Sequence, residues 1–109
     1  MPRLKCIVEY DGTQFVGWQR QLNGRSIQEA IEAAIEKVAE KKITIFGAGR
    51  TDAGVHAVHQ VFHFDFNKDI DAKKITDALN FHLKDDSISI LKTELTQDDF
   101  DARRDAKLR

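Results

Sequence analysis

A chain of 109 residues makes one ordinary domain and buries roughly 60 to 70 per cent of the surface its unfolded form exposes, so it needs no disulfide or metal staple. With 41% hydrophobic and 32% charged residues and no run near the ~18 apolar residues of a membrane span, the composition is globular and excludes a spanning helix. The formal net charge of -1 excludes a uniformly basic nucleic-acid binder, so any RNA surface has to be a local patch.

The first residues, MPRLKCIVEY, lack the apolar core of a signal peptide, and the cytoplasm is the expected compartment. The single cysteine, Cys6, lies in an apolar run and reads as a small buried hydrophobe rather than a reactive thiol. Residues 4–10 alternate Leu4, Cys6, Val8 and Tyr10 with Lys5, Ile7 and Glu9, the period of a half-buried strand, and Asp11-Gly12 ends it with a turn. Residues 13–25 keep no period but gather Phe15, Trp18, Gln19, Arg20, Gln21 and Arg25. Phe15 and Trp18 could cover a satellite core. Alternatively, Trp18 and the polar residues beside it touch nucleic acid, because aromatic faces stack on bases and Arg pairs with phosphate.

Ser26-Ile27-Gln28-Glu29 spells a capping box and predicts a helix start. Ile27, Ala30, Ile31, Ala34, Ile35 and Val38 recur at helical spacing, while Gln28, Glu32, Glu36, Lys37 and Glu40 are assigned to the solvated face. Residues 43–46 form a short β-rich run, and residues 57–66 a clear strand with Val58, Gln60, Phe62, Phe64 and Phe66 on one face and His59, Val61, His63 and Asp65 on the other. A zinc reading of His56, His59 and His63 fails: His59 and His63 lie about 13 Å apart along a strand, and His56 has the opposite parity. Asp71 caps a second helix with the stripe Ile75, Ala78, Leu79 and Leu83, and Phe81 at its edge is expected to cover the same core or, as the alternative, to touch another domain. Residues 88–95 give a fourth strand, with Ile88, Ile90 and Lys92 alternating against Ser89, Leu91 and Thr93.

Strand, helix, strand, strand, helix, strand predicts an α+β, ferredoxin-like (split β-α-β) sandwich: a four-stranded antiparallel sheet, RRM-like, with two helices on one face. The other face is expected to be bare, and that face or one sheet edge to be covered by something outside this chain.

Between the second and third strands lie residues 47–57, GAGRTDAGVHA, with three glycines in eight residues and the side chains of Arg50, Thr51, Asp52 and His56. This is neither a dinucleotide fingerprint, since Asp52 stands where the third glycine belongs, nor a Walker loop, and it offers one carboxylate rather than a glycosidase pair. The residues alone allow a structural Asp52 that caps its own turn and pairs with Arg50. The same guanidinium would also hold Asp52 ionised, as a nucleophile or base requires.

The segments YDGTQFVGWQRQ, SIQEAIEAAI, GAGRTDAGVHAVHQVFHF, ALNFHL and FDAR follow one another as in the TruA family of tRNA pseudouridine synthases, which the chain resembles from about residue 9 to its end. The resemblance implies isomerisation of uridine to pseudouridine at positions 38 to 40 of the tRNA anticodon arm, without cofactor or metal, in a cytoplasmic homodimer. It matches Asp52 to the catalytic aspartate, which would either attack C1' or remove a sugar proton to give a glycal. It matches Arg50 to the residue that fills the place of the flipped nucleotide and contacts phosphate. Thr51 and His56 are then expected to shape the loop and border the RNA, with Trp18, Gln19, Arg20 and Arg25 as further RNA contacts. Family members are about twice this length, with two similar α/β halves around the cleft. Residues 1–96 are therefore expected to be the N-terminal domain, and residues 97–109, whose charged FDARRDAKLR tail looks cut, the start of a linker to a C-terminal half that completes the site. The chain alone is expected to turn over little or nothing. The alternative is a non-catalytic RRM-like RNA-binding module in which Phe62 and Phe64 stack bases, a reading that leaves Arg50, Thr51 and Asp52 idle.

Overall fold

The computed structural model describes residues 3–11, 26–47, 57–68 and 71–96. The period-two run at the start becomes β1 (Arg3–Tyr10), in which Leu4, Cys6, Val8 and Tyr10 are at most 4% exposed while Lys5, Ile7 and Glu9 take the other face. The capping box forms as spelled: Ser26 Oγ accepts from the Glu29 amide at 3.1 Å, and the Glu29 carboxylate accepts from the Ser26 amide at 3.3 Å. It opens α1 (Ile27–Ala39), which buries Ile27, Ala30, Ile31, Ala34 and Ile35, with Val38 partly buried against the same core.

The short β-rich run pairs over two residues only, as β2 (Phe46–Gly47), although Ile43 and Ile45 before it are buried. It runs antiparallel to β3 (Ala57–Asp65), with Phe46 opposite His63 and Gly47 opposite Phe62. Asp71 caps α2 (Ala72–Leu83) by accepting from the Lys73 amide at 3.1 Å, and Ile75, Leu79 and Leu83 are buried beneath it. Ala78 is only half-buried. The last strand is β4 (Ile88–Thr96).

The sheet order is β2-β3-β1-β4, with β1 antiparallel to both neighbours, which is the ferredoxin-like arrangement predicted. One cluster joins the stripes of both helices to Leu4, Cys6, Val8, Phe62, Phe64, Ile88 and Ile90, so both helices cover one face. Cys6 is fully buried as expected. Its Sγ lies 3.3 Å from Thr93 Oγ1, and burial pushes its thiol up to about 12 against the opposing pull of that contact. No helix among the described residues is long and apolar enough to cross a membrane.

Three expectations need correction. In β4 the register with β1 shifts between Ile7, opposite Lys92, and Val8, opposite Ile90. This bulge leaves Leu91 unmatched and reverses the parity, so Thr93 joins Ile88 and Ile90 on the core face while Lys92 is exposed. A second register shift, between the pairs Val8–Gln60 and Tyr10–Ala57, lies near the start of β3. Phe81 is 63% exposed, its ring beside His82 and under the Lys84 ammonium at 4.8 Å, and it covers no core. The second sheet face is not bare at its centre, because His63 is 4% exposed with the Phe46 ring stacked on it at 5.2 Å, and Val61 is 9% exposed.

Around that centre the second face is charged and paired. Arg3 grips Asp65 through two bonds of 2.8 and 3.2 Å, and Lys5 meets Glu94 at 3.3 Å. The hydrogen bond from Arg3 holds the Asp65 carboxyl below its ordinary range, and the bond from Lys5 does the same for Glu94.

Candidate active site

Trp18, Gln19, Arg20, Arg25, Arg50, Thr51, Asp52 and His56 all lie outside the described residues, so the site is read from its mount. Strand direction decides where the two stretches that carry them leave the sheet. β1 runs toward Tyr10 and delivers the chain, at Asp11, to the stretch that returns at Ser26. Antiparallel pairing puts the start of β3 and the start of β4 at that same end, with Tyr10 opposite both Ala57 and Ile88. β2, antiparallel to β3, also points that way and delivers Gly47 into the glycine-rich stretch. The stretch after Asp11 therefore leaves from the Tyr10 end of the sheet, and the glycine-rich stretch leaves from mid-sheet at Gly47 and rejoins the sheet at that same end, at Ala57.

The mount itself is specified locally. Asp11 N–H donates to the Ser87 carbonyl at 3.1 Å, tying the end of β1 to the turn before β4. The N-terminus of α1 opens at the same end, and its amides are partly taken by Ser26 while Glu29 sits in its first turn. Gly47 stands opposite Phe62, five residues beyond Ala57 along β3.

The segment that leads into the glycine loop has an unexpected anchor. Glu32, assigned by sequence to the solvated face of α1, is 8% exposed, and its carboxylate accepts from Ile45 N–H at 3.0 Å. Gln28, one turn earlier, donates to the same carboxylate oxygen at 3.2 Å and to the Ile45 carbonyl at 3.3 Å. The reason is accounting: Ile45 is buried beside a two-residue edge strand, and its amide and carbonyl must find partners that the short ladder does not provide. Stripe analysis treats every charge as solvent-facing and so misses this pair; the signal present was Gln and Glu at i and i+4 on the helix packed beside a short edge strand.

Two other features carry no part of this site. A cavity of about 410 Å³ beside α1 is lined by Glu29, Glu32, Glu36 and Lys42 among others, a sign of charge that repels a phosphate backbone. Phe62 and Phe64, which an RRM-like reading would stack on bases, are fully buried against the helices and unavailable to any ligand.

A family model described as tRNA pseudouridine synthase matches residues 6–103. The protein named tRNA pseudouridine synthase A of Brucella anthropi is 55% identical over 111 residues, covering 100% of this chain and 44% of its own length. Those of Brucella ovis and Brucella melitensis are 56% identical over the same span, again with 44% of their length covered. The chain thus spans less than half the length of these curated relatives, and it belongs to the tRNA pseudouridine synthase family.

Proposed function

We propose that this chain is the N-terminal part of an enzyme that isomerises uridine to pseudouridine at positions 38 to 40 of the tRNA anticodon stem-loop. The observation that carries the proposal is the GRTDAGVHA segment, in a chain of this family, with its last residue, Ala57, opposite Tyr10 at the end of β1 from which the Trp18-containing stretch follows. The reaction breaks the C1'–N1 glycosidic bond, turns the uracil and forms C1'–C5. N1 gains a proton, and the hydrogen on C5 passes to solvent. Asp52 is the acidic oxygen this needs beside the sugar, as the nucleophile toward C1' or as the base that gives a glycal. Arg50 occupies the space vacated by the flipped nucleotide and pairs with phosphate, which offsets the few kcal/mol of unstacking. Thr51 and His56 border the nucleotide, and Trp18, Gln19, Arg20 and Arg25 extend the contact to the RNA. No cofactor takes part.

Residues 1–96 form the N-terminal domain of this enzyme and residues 97–109 begin the linker to a C-terminal half that supplies the opposite wall of the cleft. The complete protein acts as a homodimer in the cytoplasm, and the 109-residue chain alone turns over little or nothing. The RRM-like alternative loses its support with the burial of Phe62 and Phe64.

The test uses the full-length protein containing this chain, with tRNA labelled with tritium at uridine C5. Wild type releases tritium and Asp52→Ala does not, falling by about three orders of magnitude or more while still binding tRNA. Equal release by the two proteins refutes the role of Asp52, and release by the 109-residue chain refutes the need for the second half.

A further inference from the structure

We infer that Glu32, together with Gln28, is a positioning residue for this reaction, a role that rests on the reading of Asp52 given above. The two side chains close a ring of three hydrogen bonds around one residue: Ile45 N–H to the Glu32 carboxylate, Gln28 amide to the same carboxylate oxygen, and Gln28 amide to the Ile45 carbonyl. Ile45 stands directly before Phe46–Gly47, the two residues that pair with β3 before the chain enters the loop that bears Arg50 and Asp52.

Three facts make this a positioning device rather than ordinary packing. The paired length of β2 is two residues, so its ladder alone leaves the departing chain little to define its direction. A carboxylate is kept at 8% exposure for this contact, and burial of a charge is costly unless the geometry it holds is worth keeping. On the opposite face the Phe46 ring stacks on His63, so the strand is bracketed from both sides immediately before the loop. Ile45 fixes the strand's offset along α1 and Phe46 fixes its rotation, just before the chain enters the segment that bears Asp52. Displacement of a reacting group by about 1 Å costs about a hundredfold in rate, while binding spread over many RNA contacts is little affected.

Asn80 supplies a matched control. Its side chain also takes both backbone groups of one edge-strand residue, donating to the Ile90 carbonyl at 2.9 Å and accepting from Ile90 N–H at 2.7 Å. It does so on β4, which enters neither the stretch that bears Trp18 nor the one that bears Asp52.

The experiment measures kcat, KM and tRNA binding for the full-length protein as wild type, Glu32→Ala, Glu32→Gln and Asn80→Ala, each well below its own unfolding midpoint. Glu32→Ala is expected to lose about ten- to a hundredfold in kcat, with KM and Kd within about twofold of wild type. Glu32→Gln, whose amide oxygen can accept both bonds, returns to within about threefold. Asn80→Ala keeps the wild-type kcat although its Tm falls. If Glu32→Ala does not accumulate as folded protein, Gln28→Ala, which removes the donor to the Ile45 carbonyl and to Glu32 but leaves the Glu32 carboxylate to accept from Ile45 N–H, is held to the same criterion. A wild-type kcat in the clamp variant, or an equal loss in Asn80→Ala, overturns the inference. A wild type that releases no tritium refutes the proposed reaction instead, so the two failures are distinguishable.

Discussion

The two edges of the sheet solve one problem with the same chemistry and different consequences. On β4, Asn80 of α2 holds both backbone groups of Ile90; beside β2, Gln28 and Glu32 of α1 hold both backbone groups of Ile45. β4 also pairs with β1 from Arg3 to Tyr10, so its place is over-determined and Asn80 only closes an exposed edge. β2 pairs at two positions, so its side-chain clamp carries much of its definition. The edge that relies on the clamp is the one that launches the Asp52 loop. A loop can be shaped by its own glycines, but its origin has to be fixed by something rigid, and here that is a helix.

Changes away from the edges set the scale for this comparison. Phe64→Ala, at the fully buried centre shared by both edges, should cost about 3 to 5 kcal/mol in urea unfolding, and a loss below 1 kcal/mol would mean that the aromatic row is not the common core. Asn80→Ala leaves Ile90 without two partners and should cost about 1 to 3 kcal/mol, seen as a lower Tm. Ser26→Ala removes the cap of the helix that carries the clamp and should cost about 1 kcal/mol, with tritium release reduced far less than by Glu32→Ala.

The smallest effect is the pH response of the second sheet face. Asp65 and Glu94 titrate below their ordinary values because Arg3 and Lys5 donate to them. Their folded pKa values are therefore lower than their unfolded ones, so their stabilisation is complete above the ordinary carboxylate range and is lost as pH falls through the depressed values. Both are more than a third exposed, which keeps each contribution under about 1 kcal/mol. In an acid unfolding series, Arg3→Gln should flatten the part of the decline that Asp65 contributes.

The sequence made the helices and the sheet order legible because their signals are local and redundant: the Ser26–Glu29 box, the Asp71 cap and apolar stripes at helical spacing. The bulges were not legible. Leu91-Lys92 reads equally well in either parity, and only the register with β1 decides that Thr93 faces the core, where it meets Cys6 and Thr76. Glu32 was misread because a charge on a helix is solvated by default, and what buries it is the unmet hydrogen bonding of a segment 13 residues away. Phe81 was misread because helical spacing does not say where the neighbouring element ends. The GRTDAGVHA segment stands out in the sequence as a motif, but that its last residue, Ala57, lies opposite Tyr10, where β1 hands the chain to the Trp18 stretch, needed the antiparallel pairing of β1 with β3.

The most direct test of the central claim maps pseudouridine in tRNA from cells that lack their own enzyme for the anticodon arm and are supplied with the full-length protein. The account predicts pseudouridine at positions 38 to 40 with wild type and unmodified uridine there with Asp52→Ala expressed at the same level. Unmodified uridine at these positions with the wild-type protein, or pseudouridine with the variant, would contradict it.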